Sequence, residues 1–86
     1  QMYIDGAFIN AASGKTREIF NPATEQAFAV VPESGAEDVD RAVKAARNAF
    51  KTWSKTTALE RSRLLMRLSQ KIQDNAAMLV ELEILN

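Results

Sequence analysis

Three carboxylates, three guanidinium groups and one indole are the side chains of this chain that invite a chemical reading: Glu60, Glu81 and Glu83; Arg61, Arg63 and Arg67; and Trp53. Carboxylates can move protons, a cluster of arginines can hold an anion, and an indole can stack on a ligand. Each has a plainer explanation. Helical carboxylates are mostly solvated or act as caps. The three arginines point in different directions on a helix and are balanced by acidic residues, which describes a solvated face. A lone Trp between two amphipathic helices is a packing plug. The sequence has no His and no Cys. The commonest general base, the thiol nucleophile and the usual transition-metal ligands are therefore all missing. Ser13-Gly14 and Ser34-Gly35 are too sparse for a phosphate loop, and neither the dinucleotide nor the P-loop glycine pattern occurs. Ser and Thr without a base do not make an activated nucleophile. No catalytic and no cofactor-binding residue is assigned.

The totals fit one small soluble α+β domain. Of the 86 residues, 47% are hydrophobic and 26% charged, a globular balance and not that of a disordered tail. Eleven basic residues offset eleven acidic ones, which argues against a nucleic-acid or membrane-surface partner. No apolar run is long enough to span a bilayer, and the first residues lack the pattern of a secretory signal. A cytoplasmic location is the expectation, and the absence of Cys is compatible with it.

The elements that must position these side chains divide the chain in three. Residues 1–33 read as a β-hairpin head. Asp5-Gly6 between Met2-Tyr3-Ile4 and Ala7-Phe8-Ile9 is the signal of a type I′ turn. Ser13-Gly14 makes a second turn, Thr16 to Phe20 a strand, Asn21-Pro22-Ala23-Thr24 a break, and Gln26 to Val31 a further strand. Residues 34–51 read as a helix. Val39, Ala42, Val43, Ala46, Ala49 and Phe50 share one side, and Ser34 with Glu37 fits a capping box. Residues 57–86 read as one kinked helix or two short ones. The stripe is Leu65, Leu68, Ile72, Ala76, Leu79 and Leu82, a second capping box is formed by Thr57 and Glu60, and Asp74-Asn75 is the break. No Gly or basic cap follows the last apolar residues, so a chain that continues is expected.

The order of these pieces carries a resemblance. Tyr3-Ile4-Asp5-Gly6-Ala7-Phe8 comes first, and Phe20-Asn21-Pro22-Ala23-Thr24-Glu25 follows a strand. Ala36-Glu37-Asp38-Val39-Asp40-Arg41-Ala42-Val43 leads to Ala45-Ala46-Arg47-Asn48-Ala49-Phe50 and Trp53. Glu60-Arg61-Ser62 opens the long helix, and Glu81-Leu82-Glu83-Ile84-Leu85-Asn86 closes it. The set resembles the N-terminal part of the NAD(P)-dependent aldehyde dehydrogenase superfamily over essentially the whole chain.

The resemblance implies an incomplete domain on the cofactor side of an α/β enzyme several times longer. That enzyme oxidises an aldehyde to a carboxylic acid through a thiohemiacetal on a Cys. It passes hydride to NAD or NADP, hydrolyses the thioester with a Glu base, and forms a homo-oligomer. Its Cys, base, oxyanion-stabilising Asn and cofactor turn would all lie beyond Asn86, and Glu83 is not the base. The 86 residues alone are expected to be inactive and to bind no cofactor. Their main partner would be the remainder of the dehydrogenase. The resemblance also implies a structural monovalent cation held partly by the backbone carbonyls of Ile19 and Phe20. Met2-Tyr3-Ile4-Asp5-Gly6 and Asn21-Pro22-Ala23-Thr24-Glu25 suit bacterial enzymes of small aldehydes such as lactaldehyde or glycolaldehyde. The alternative is a free-standing binding or regulatory module that associates with a full-length dehydrogenase.

Overall fold

The structure, a computed structural model, describes residues 1–86. Two antiparallel hairpins precede three helices. The strands are β1 (Met2–Ile4), β2 (Ala7–Ile9), β3 (Thr16–Phe20) and β4 (Ala27–Pro32); the helices are α1 (Ala36–Trp53), α2 (Ala58–Asp74) and α3 (Ala76–Leu85). The hairpins form separate two-stranded sheets, β1-β2 and β3-β4.

Turn chemistry decides the hairpins. Asp5 and Gly6 both take positive φ, 53° and 77°, as a type I′ turn demands. That turn sets the register Met2↔Ile9, Tyr3↔Phe8, Ile4↔Ala7. Tyr3 and Phe8 stand opposite each other and meet edge to face, with ring centroids 5.0 Å apart. At the break after β3, the Asn21 side-chain oxygen accepts from the Ala23 amide at 2.9 Å, an Asx turn, and Glu25 sits at φ 59°. β3 pairs with β4 from Thr16↔Pro32 to Ile19↔Ala29, then slips to Phe20↔Ala27, so Phe28 is a bulge. The exposed Arg17–Glu33 ion pair, at 3.5 Å, spans the open end of this hairpin.

The helix starts differ in how well the sequence announces them. Thr57 and Glu60 form the expected capping box: the Thr57 amide donates to Glu60 Oε2 at 2.7 Å, and the Glu60 amide donates to Thr57 Oγ1 at 3.1 Å. For α1 the expected Ser34–Glu37 box does not form. Gly35 is the N-cap, and the acid that serves it is Asp38, whose Oδ2 accepts from the Gly35 amide at 2.9 Å. The Ser34 hydroxyl instead donates to the Met2 sulfur at 2.8 Å. α1 also runs on through Trp53, which the sequence reading placed between the two helices. The long C-terminal segment is two helices, divided at Asn75. Its side-chain amide donates to the Lys71 carbonyl at 2.8 Å, so it closes α2.

The elements barely cover one another. Only Ala11 and Asp38 are buried. The Cα radius of gyration is 16.8 Å, against about 12 Å for a compact chain of this length. The accessible surface is 7328 Å², against about 5,000 Å² for a folded monomer of this mass. The molecule is a slab of 47 × 34 × 16 Å. α1 turns its small residues, Ala42, Ala45, Ala46 and Ala49, towards the β1-β2 tip. Its Val39, Val43 and Phe50 stay exposed. On α2 and α3 the stripe Leu65, Leu68, Ile72, Leu79 and Leu82 is exposed as well. α3 is apolar all round apart from Glu81 and Glu83, the pattern of a helix surrounded by protein.

Candidate functional site

The one buried charge is the carboxylate of Asp38, 2% exposed in the first turn of α1. Oδ1 accepts from the Ala12 amide at 2.9 Å and Oδ2 from the Gly35 amide at 2.9 Å. Those two hydrogen bonds, Gly35 first, hold its pKa below the ordinary 3.8; desolvation opposes them, and the charge of Arg41 adds a smaller push downward. Ala12 lies 26 residues earlier in the chain, so one side chain both caps α1 and ties it to the loop leaving β2.

Arg61 organises a second cluster, at the turn between α1 and α2. Its Nε donates to Thr56 Oγ1 at 2.8 Å, and one terminal nitrogen donates to the Trp53 and Ser54 carbonyls at 3.1 and 3.4 Å. The guanidinium also lies over the Trp53 ring, 5.6 Å from its centroid. Thr56 Oγ1 donates to the Trp53 carbonyl at 2.7 Å. The last carbonyls of α1 are thereby satisfied by a cation, as the dipole favours. Trp53 is not the buried plug expected of it: it is 47% exposed and forms one wall of this elbow. Arg63 and Arg67 are exposed on α2 and do not join Arg61.

None of the candidate acids meets another. Glu60 serves as the α2 cap, Glu81 and Glu83 are exposed on α3, and no three acidic side chains converge as metal ligands would. Ile19 and Phe20, whose carbonyls the sequence reading offered to a monovalent cation, end β3 at the slip in the ladder. Ile19 faces an apolar cleft of about 310 Å³ shared with Phe28, Ala29, Val31 and Leu82.

The residues present do not fit a dinucleotide. A pyrophosphate needs free amides at a helix N-terminus reached through a glycine-rich turn. At α1 the Gly35 amide is already bonded to a carboxylate, and Glu37 and Asp38 put negative charge in the first turn. At α2 the Thr57 and Glu60 amides are taken by the capping box. What the chain does present is apolar surface: twenty large hydrophobic side chains are exposed, from Tyr3 to Ile84.

The model of the aldehyde dehydrogenase family matches residues 8–86. Among solved structures, a point mutant of an aldehyde dehydrogenase from Bacillus cereus is 46% identical, with a TM-score of 0.93 over 98% of this chain and 18% of its own. A betaine aldehyde dehydrogenase from Staphylococcus aureus, in complex with NAD+, is 38% identical, with a TM-score of 0.92 over 96% of this chain and 17% of its own. PnpE, in complex with nicotinamide adenine dinucleotide, is 40% identical, with a TM-score of 0.96 over 99% and 18%. The 86 residues thus span less than a fifth of the proteins they match, and within that span hairpins, helices and their placement agree. The chain belongs to the aldehyde dehydrogenase family.

Proposed function

We propose that these residues are the N-terminal segment of an NAD(P)-dependent aldehyde dehydrogenase that oxidises an aldehyde to a carboxylic acid. They scaffold its cofactor-domain side and carry none of its chemistry. The observation that supports this reading is the uncovered apolar surface on a chain that matches less than a fifth of each relative. The large faces of α1, α2 and α3 need cover, and the remainder of such an enzyme would supply it. The hairpin head 1–33, the helix 34–51 and the segment 57–86 form one incomplete domain. The thiol that oxidation of an aldehyde requires in this family comes from outside a sequence with no Cys. NAD or NADP is held outside it too.

Small aldehydes such as lactaldehyde or glycolaldehyde are the substrates of this reading, a homo-oligomer its assembly and the cytoplasm its location. The backbone carbonyls of Ile19 and Phe20 contribute two oxygen ligands to a structural monovalent cation. Both lie at the end of β3, beside the irregularity in the ladder that Phe28 makes on β4. Further ligands come from the rest of the enzyme.

The test is NADH formation from lactaldehyde and glycolaldehyde, by the purified 86 residues and by a protein extending beyond Asn86. The account predicts turnover only by the longer protein. Turnover by the 86 residues alone would end it. The open faces also favour a second reading, a module that docks on a full-length dehydrogenase. Co-elution of the separate chain with such an enzyme in size exclusion distinguishes the two.

A further inference from the structure

We propose that Asp38 is a latch that holds the β1-β2 hairpin and its trailing loop against α1, so that this one carboxylate decides whether the hairpin is docked or swings free. The hairpin is a separate sheet with no strand shared with β3-β4. It has no buried side chain of its own: Tyr3 and Phe8 are 65% and 69% exposed, and Ile4 and Ile9 are half-buried. Its tip only leans on the alanine face of α1. Alanine contacts of that kind bury little area and leave the hairpin's position weakly determined.

Beyond the Glu33 amide on the Lys15 carbonyl at 2.8 Å, which extends the β3-β4 ladder to the end of the loop, two polar ties remain. One is the exposed Ser34 hydroxyl on the Met2 sulfur, a weak acceptor. The other is Asp38, whose two oxygens bind one amide on each side of the junction: Ala12, beside the buried Ala11, and Gly35, at the start of α1. A doubly bonded carboxylate with its side chain buried is the stronger tie, because both bonds are charge-assisted. Breaking it costs α1 its cap at Gly35 but leaves the hairpin ladder and the backbone ladder of α1 intact, since neither uses the Asp38 side chain. The two bodies can therefore separate without either unfolding. The segment that Asp38 grips, residues 10–14, holds no ionisable side chain, and Arg41 on its own helix is the charge acting on it. Lys15 is the first ionisable residue beyond the grip.

The test, which rests on the reading proposed above, is amide hydrogen exchange on the protein that extends beyond Asn86, comparing wild type with Asp38→Asn and with Asp40→Asn. Asp40 is a control on the same helix, exposed and paired with Lys44 at 2.8 Å. The asparagine at 38 keeps one acceptor oxygen and presents an NH2 to the second amide. Exchange over residues 2–15 is expected to speed up by about tenfold in Asp38→Asn and to stay at the wild-type rate in Asp40→Asn, with residues 58–85 unchanged in both. Wild-type rates over 2–15 in Asp38→Asn would overturn the latch, as would an equal acceleration over 58–85. An NMR titration of the wild-type chain gives a reading that needs no variant. The Ala12 and Gly35 amides should shift together with the Asp38 carboxyl, at one midpoint below 3.8. Separate midpoints, or an Ala12 amide that does not move, would also overturn it.

Discussion

Asp38 is where one residue carries most consequence. Its folded pKa lies below the ordinary carboxylate value, so the sign of its pH dependence is fixed. The stability it contributes is fully present above pH 3.8. It falls away as the pH drops from there through the lower folded value. Acidification of wild type from neutrality is thus expected to leave the hairpin–helix junction unchanged until below pH 4, then to loosen it, read by protection of the Ala12 and Gly35 amides. In Asp38→Asn that acid step should be missing. Its persistence would assign the step to another carboxylate. The sequence reading found the Ser34–Glu37 box and missed Gly35–Asp38, one residue further on. What selects Asp38 is the Ala12 amide, 26 residues away, and no local pattern encodes that contact. The Asp5-Gly6 turn was legible because its requirement, positive φ at both residues, is wholly local. The role of Arg61 was missed for the opposite reason. Its partners, Trp53 and Thr56, become neighbours only once α1 has turned into α2. The one sequence signal was a basic residue close behind a helix C-terminus.

Among the elements, the start of α2 is the most self-sufficient. Thr57 and Glu60 satisfy each other's backbone amides across one turn, with no help from the rest of the chain. Thr57→Ala removes the hydroxyl acceptor and leaves the Glu60 amide unpaired. The expected cost is about 1 kcal/mol of helix stability, seen as earlier loss of far-UV ellipticity on heating. Thr57→Ser should behave as wild type. If alanine and serine give the same melt, the cap is not what starts this helix. The division at Asn75 was readable because Asp and Asn prefer caps to helix interiors. Whether the chain bends or breaks there was not readable. The Asn75 side chain settles it by bonding the Lys71 carbonyl. The apolar periodicity of α1 was legible too, but periodicity shows which residues share a side and not what faces them. The alanines line an open cleft beside the hairpin tip, with Ala42 and Ala45 half-buried and Ala46 and Ala49 exposed, and the valines and Phe50 stay open.

For the whole molecule, sequence composition alone is misleading. A chain that is 47% hydrophobic looks able to build a core, yet only one apolar residue, Ala11, is buried. The surface excess over a compact monomer is roughly 2,300 Å², more than a standard protein interface buries in total. Family membership gives this its meaning, because the chain accounts for 17–18% of the length of the structures it matches. The hairpins and helices are in family positions, and their outward faces have the apolar character of an interior. The central claim is that these faces are half of a packing arrangement. Its most direct test is the binding of a solvent-sensitive dye to the isolated 86 residues during denaturant unfolding. The account predicts strong dye fluorescence before any denaturant is added, followed by a broad, weakly cooperative transition. A dark dye and one sharp transition would contradict it.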